Sequence, residues 1–283
     1  ACIERFRSGV VRDLESLAVT LTRETGKPVK MSRNELNGLL GRIDFFLKEI
    51  ELAVATETVF DEGGMREQIQ HTPLGVVANI SAWNYPWFVG CNVIVPALLT
   101  GNAVVYKPSE YATMTGLEIA RLLHEAGVPA DVFTTLVGAG DVGGALLEQP
   151  VDGVFFTGSY ATGRRIAEAV AGRMIRVQLE LGGKDPAYVA ADADLEFAVA
   201  NVVDGACYNA GQSCCAVERV YVHQDLYQPF LERAAAVLND YRLGNPFDDG
   251  ITMGPLASRG APKFLQGQVD DATRRGARLL VGG

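Results

Sequence analysis

The chain has 283 residues, 48% hydrophobic and 21% charged, with a formal net charge of −9 and an isoelectric point near 4.9. This composition is globular rather than disordered and long enough for two domains. The acidic balance argues against nucleic acid or an anionic membrane surface as partner, both of which need basic surface, while leaving open a small anionic ligand held by local backbone N–H groups.

In chain order, residues 8–25 and 32–54 carry helical apolar spacing; in the second, Leu36, Leu39, Leu40, Ile43, Phe46, Leu47 and Ile50 recur at three- and four-residue intervals. Residues 57–71 form two short strand-like runs around Gly63-Gly64 and read as an inserted hairpin. From residue 74 strands and helices alternate. The expected strands are Gly75–Ile80, Ala103–Tyr106, Val132–Val137, Gly153–Phe156, Ile175–Leu179, Ala187–Val189 and Val217–Val222, with a further strand-like run at Ala277–Leu280. A helix is expected to start at Pro86, since proline suits a first turn. Further helices are expected over 113–126, 141–148, 162–172, 194–210 and 225–239. Nearly continuous apolar strands alternating with helices indicate an α/β fold with a parallel sheet covered on both faces. A domain boundary is expected at Gly182-Gly183, where one strand ends and a new strand–helix series begins.

Cys2, Cys91, Cys207, Cys214 and Cys215 are odd in number and irregularly spaced, which does not form a disulfide framework and points to a reducing, cytoplasmic setting. The three histidines, His71, His124 and His223, lie far apart with no cysteine at metal-ligand spacing, so no metal site is expected. The most apolar stretch, Trp87 to Leu99, contains Asn92 and Pro96 and is too short to span a bilayer. Ala1 stands where an initiator Met would be and the chain stops at Val281-Gly282-Gly283, so it is expected to be a fragment of a longer protein.

Five segments could carry chemistry. Gly211-Gln212-Ser213-Cys214-Cys215-Ala216 offers a thiol after a helix, which is either a nucleophile or a buried small hydrophobe. Glu180 ends an otherwise apolar strand and is followed by Gly182-Gly183; it is either a salt-bridged structural group or a base of raised pKa. Asn84, in Ser81-Ala82-Trp83-Asn84-Tyr85-Pro86, is either an oxyanion donor or a plain helix cap. Gly158-Ser159 lies in a strand–turn–helix that fits a phosphate but is not a full G-x-G-x-x-G, and an ordinary turn reads as well. Lys107 and Glu110 leave a strand end together and either bracket sugar hydroxyls or form a solvated pair.

In this order the segments W-N-Y-P, V-V-Y-K-P-S-E, F-F-T-G-S, L-E-L-G-G-K and G-Q-S-C-C-A resemble the aldehyde dehydrogenase superfamily, from about residue 10 to the end. The resemblance implies a Rossmann-type parallel-sheet dinucleotide-binding domain over 1–56 and 73–182, an oligomerisation hairpin over 57–72, and the first part of an α/β catalytic domain over 183–283. It implies Cys214 as nucleophile, Glu180 as general base and Asn84 as the side chain that binds the oxyanion with the Cys214 N–H. Lys107 and Glu110 would hold the adenosine ribose, Gly158 and Ser159 the pyrophosphate, and Trp83 and Gly182 would lie in the cofactor site. Cys215 matches a non-catalytic neighbour.

The reaction implied is oxidation of an aldehyde to a carboxylic acid through a cysteine thioester, with no metal. Glu180 argues against the CoA-acylating relatives. Glu110 favours NAD over NADP, because a carboxylate on the ribose 2′-OH repels a 2′-phosphate; some relatives with this motif accept both. The family's later E-x-F-G-P motif and C-terminal pairing strand are absent. The implied partners are a small-molecule aldehyde and, for the longer parent, further copies in a homodimer or homotetramer. The competing readings are a non-catalytic relative serving as a structural or binding protein, and a cysteine hydrolase, which lacks a nearby histidine to act as thiol base.

Overall fold

The computed structural model describes residues 1–283. They divide into two compact units, Ala1–Thr20 with Arg33–Leu181, and Leu21–Ser32 with Gly182–Gly283.

The first unit opens with α1 (Cys2–Arg12), α2 (Leu14–Thr25, whose last turns belong to the second unit) and α3 (Val29–Ala53). The single helix expected over 8–25 is two helices. Apolar spacing begins earlier, at Ile3, Phe6 and Val10, all buried, and the chain breaks at Asp13. Bidentate bonds from Arg12 to Asp13, with Arg121 at 2.8 Å, brace the break. They hold the Asp13 carboxyl well below the usual carboxylate range, Arg12 contributing most.

The hairpin is present as β1 (Glu57–Glu62) and β2 (Met65–Ile69), antiparallel and exposed along its length. Then follow β3 (Val76–Ile80), α4 (Pro86–Leu99), β4 (Ala103–Lys107), α5 (Thr113–Glu125), β5 (Phe133–Thr135), α6 (Gly140–Leu147), β6 (Gly153–Thr157), α7 (Tyr160–Val170) and β7 (Arg176–Glu180). The five strands β3–β7 form a parallel sheet in the order β5-β4-β3-β6-β7. The expected α/β parallel architecture is borne out. On one face Ala78, Ile80, Val154 and Phe156 pack with Leu146, Ile166 and Val170 of α6 and α7. Burial of each such large side chain contributes about 1.5–3 kcal/mol.

One strand departs from expectation. β7 is an exposed edge strand rather than an apolar run covered on both faces, and only Leu179 is partly buried. Its sequence, Arg-Val-Gln-Leu-Glu, alternates as a one-sided strand does.

The second unit contains β8 (Asp185–Val189), α8 (Leu195–Cys207), β9 (Val217–Val222), α9 (Gln224–Asn239) and α10 (Ala261–Arg274). β8 and β9 pair in parallel, and Val189, Val199, Val203 and Phe230 form the core beneath them. The turn joining α2 to α3 packs in this unit: Val29 N–H donates to Pro246 O at 2.9 Å, and a side chain at Gly26 would collide with Pro255 O. Residues 21–32, which the sequence grouped with the dinucleotide-binding domain, fall in the second unit. α8 stops at Cys207 instead of 210. α10 was not foreseen, because it buries no residue, and Ala277–Leu280 is irregular rather than a strand.

Candidate active site

Every strand of the five-stranded sheet points the same way, so the loops after them gather at one edge. Ligands in open α/β sheets bind at that edge where strand order reverses. Here the reversal is at β3, flanked by β4 on one side and β6 on the other. A cleft of about 1220 Å³ opens there, lined by Ile80–Trp83 after β3, Lys107 and Ser109–Tyr111 after β4, and Phe156–Ser159 after β6. It exceeds the roughly 300–1,000 Å³ of drug-sized pockets. Trp83, Lys107, Glu110, Gly158 and Ser159 are therefore brought together.

The turn at 158–159 has a steric reason for its glycine. A Cβ at Gly158 would lie 2.5 Å from Phe156 Cζ, so a side chain there would displace a buried ring. Ser159 caps α7 by accepting from Thr162 N–H at 3.3 Å. The N-terminus of that helix, with its unpaired N–H groups and positive dipole end, faces the cleft edge.

Lys107 is 4% exposed. Its Nζ donates to Pro108 O at 3.0 Å and lies 3.9 Å from Glu110 Oε2, whose side chain is half open to solvent. Burial is the main influence on the ammonium and lowers its pKa, with Glu110 and Asp141 pulling the other way. Of the pair that leaves this strand end, Lys107 is thus a buried cation and Glu110 an exposed carboxylate. Trp83 is half-buried and meets Tyr111 edge-on, ring centroids 6.2 Å apart.

Asn84 sits just before α4, half-buried, its Oδ1 accepting from Tyr85 N–H at 3.1 Å. It does not cap α4. That role falls to Glu35 of α3, a buried carboxylate accepting from Trp87 N–H at 2.9 Å and Phe88 N–H at 3.3 Å. Trp87 is a core residue, 0% exposed.

Glu180 pairs in register with Thr157, and its carbonyl accepts from Gly158 N–H at 3.0 Å, which links its strand end to the glycine turn. Its side chain is exposed and bonds only Gln178 Nε2, at 3.3 Å. It makes no salt bridge, and it stands exposed because β7 is the sheet's edge.

In the second unit, Cys214 and Cys215 are exposed, whereas Cys91 is fully buried and Cys207 half-buried. Burial therefore describes Cys91, not Cys214. Partial desolvation of the loop is the largest influence on the Cys214 thiol and raises its pKa; Cys215 adds to the rise, and the N–H groups of Cys214 and Cys215 oppose it. Gly182 is exposed with open space at its Cβ position. No group of three His, Cys, Asp or Glu side chains is placed to hold a metal.

The aldehyde dehydrogenase family model matches residues 1–283, the whole chain. The chain belongs to the aldehyde dehydrogenase family. Among curated members it is 38% identical to 3,6-anhydro-alpha-L-galactose dehydrogenase of Streptomyces coelicolor, over all of this chain and 58% of that protein. Among solved members it is similar to an NADP-dependent enzyme of E. coli, at a TM-score of 0.96 and 33% identity, covering 100% of this chain and 59% of that one. PnpE in complex with nicotinamide adenine dinucleotide is similar too, at a TM-score of 0.96 and 35% identity, over 100% and 58%. The chain thus spans a little over half the length of these members of the aldehyde dehydrogenase family.

Several residues in and around the candidate site escaped the sequence reading. Tyr111 was hidden because an aromatic after a strand gives no pattern. Gly140, Gly143 and Gly144 of α6 line the cleft, where the sequence indicated only a helix over 141–148. Glu35 carries no sequence signal of its role, since the amides it holds are 52 and 53 residues away.

Proposed function

We propose that this chain carries the cofactor-binding and nucleophile-bearing parts of an enzyme that oxidises an aldehyde to a carboxylic acid with NAD, NADP also being accepted. The observation that carries the reading is the cleft at the strand-order reversal, which gathers Trp83, Lys107, Glu110, Gly158 and Ser159. The residues present fit a dinucleotide. Lys107 and Glu110 would hold ribose hydroxyls, and Ser159 with the N–H groups opening α7 would hold the pyrophosphate. Family relatives that are NADP-dependent, or solved with nicotinamide adenine dinucleotide, support both cofactors.

The Cys214 thiolate adds to the aldehyde carbon, making a carbon–sulfur bond and a tetrahedral oxyanion. Asn84 and the Cys214 N–H donate to that oxyanion; one such donor is worth about 10²–10³ in rate. The oxidised nicotinamide, when bound, supplies the hydride acceptor. Loss of the hydride leaves a thioester on Cys214. Glu180, already exposed, takes a proton from water as the water attacks the thioester; the carbon–sulfur bond breaks, releasing the acid and the Cys214 thiolate, and Glu180 passes its proton to solvent. The five free cysteines support a cytoplasmic setting. The exposed β1–β2 hairpin supports a homodimer or homotetramer of the longer protein. No helix is long and apolar enough to cross a membrane.

The test is NADH or NADPH formation by the longer protein from an aldehyde panel with NAD or NADP. Cys214→Ala is expected to reduce it to background. NADH formation that survives this substitution would remove the mechanism.

A further inference from the structure

The loop bearing Cys214 is preceded by an unusual turn. Asn209, Ala210 and Gly211 have φ of 55°, 55° and 70°, three successive residues in the left-handed region. Glycine is at ease there and asparagine tolerates it, but alanine is strained. Such strain persists only where surrounding contacts enforce it, and it clusters at functional sites.

The enforcing contacts are reciprocal. Asn209 is fully buried and its Nδ2 donates to Gln212 O at 3.2 Å. Gln212 Nε2 donates back to Asn209 O at 3.0 Å, and Gln212 N–H to the same oxygen at 3.1 Å. Gln212 Oε1 accepts from Ala257 N–H at 3.0 Å, tying the turn to the irregular segment before α10. Downstream, Ala216 is buried and its N–H returns to Ser213 O at 3.3 Å, closing the short loop around Cys214 and Cys215.

We propose that Gln212 and Asn209 are positioning residues which lock this left-handed turn and thereby fix the Cys214 thiol and its backbone N–H for reaction. This rests on the reading of Cys214 as nucleophile. Neither side chain is assigned a contact with substrate or cofactor; both act through the loop. The N–H groups of Cys214 and Cys215 favour the thiolate only while the loop holds them toward the sulfur.

The test is alkylation of Cys214 by iodoacetamide as a function of pH, with neither aldehyde nor nicotinamide present. Peptide mass analysis counts Cys215 separately. Gln212→Ala is expected to raise the apparent thiol pKa by about one unit, so that the rate near neutral pH falls about tenfold. The kcat for NADH formation should fall with it, while KM for the dinucleotide stays unchanged. Gln212→Glu keeps the acceptor for Ala257 N–H but loses the donor to Asn209, and should fall between wild type and Gln212→Ala. A profile that superimposes on wild type in folded Gln212→Ala overturns the proposal. Should that variant fail to fold, Gln212→Glu decides in the same way. If alkylation depends on Gln212 but wild-type protein makes no NADH, the oxidation reading falls and the positioning role stands. If NADH forms and alkylation ignores Gln212, the reverse holds.

Discussion

The turn at Gly158-Ser159 and the turn at Asn209–Gly211 sit before the two halves of the proposed chemistry, and they are built on different principles. The first hangs from a buried parallel sheet. Strand register sets its position, a single glycine clears Phe156, and Ser159 caps its own helix. The second follows a helix, adopts a strained backbone, and depends on bonds that the Asn209 and Gln212 side chains make with backbone groups of Gln212, Asn209 and Ala257. Sheet-hung groups are placed by many shared contacts and should lose only their own interaction when replaced. A clamped loop concentrates its placement in a few bonds, so loss of one should move its neighbours.

This contrast can be broken most forcefully at Glu180, on the sheet side but at the exposed edge. Glu180→Gln should lower turnover by about 10²–10⁴, the range for a general base, with one equivalent of NADH still released per active site in rapid-mixing experiments. Equal loss of that first equivalent would show that Glu180 acts before the thioester. A smaller effect is expected at Lys107. Lys107→Met keeps the buried stem and removes the charge, and should weaken dinucleotide binding about tenfold by calorimetry, with the melting temperature little changed. Unaltered affinity would take Lys107 out of the cofactor site.

The smallest effect should come from the α1–α2 junction. The Asp13 carboxyl has a folded-state pKa below its unfolded value of about 3.9. Its stabilisation is therefore present above that pH and is lost as pH falls through the acidic range. Asp13→Asn should lower the melting temperature by about 2 °C at pH 7, and the gap from wild type should close below about pH 4. A gap that widens in acid would contradict the sign.

The sequence made the cleft-lining positions legible because each follows a strand in a repeating strand–helix order, and parallel strands deliver their following loops to one edge. Lys107, Gly158 and Ser159 needed no more than that. Glu180 was misjudged in its surroundings, since nothing in Val177-Gln178-Leu179-Glu180-Leu181 says whether the strand is central or outermost. Gln212 was noticed only as a landmark before Cys214, because its bonds exist only once Asn209 and Ala210 turn left-handed. α10 was missed because Phe264, Leu265 and Val269 are too few to show a stripe among polar neighbours.

Glu35 carries a consequence for motion. Helix ends normally fray first, yet the opening amides of α4 at Trp87 and Phe88 are held by a carboxylate rooted in another helix. Unwinding there would strip a buried anion of two donors. Backbone movement around Asn84 is therefore expected within the loop Ser81 to Tyr85 and not in the first turn of α4.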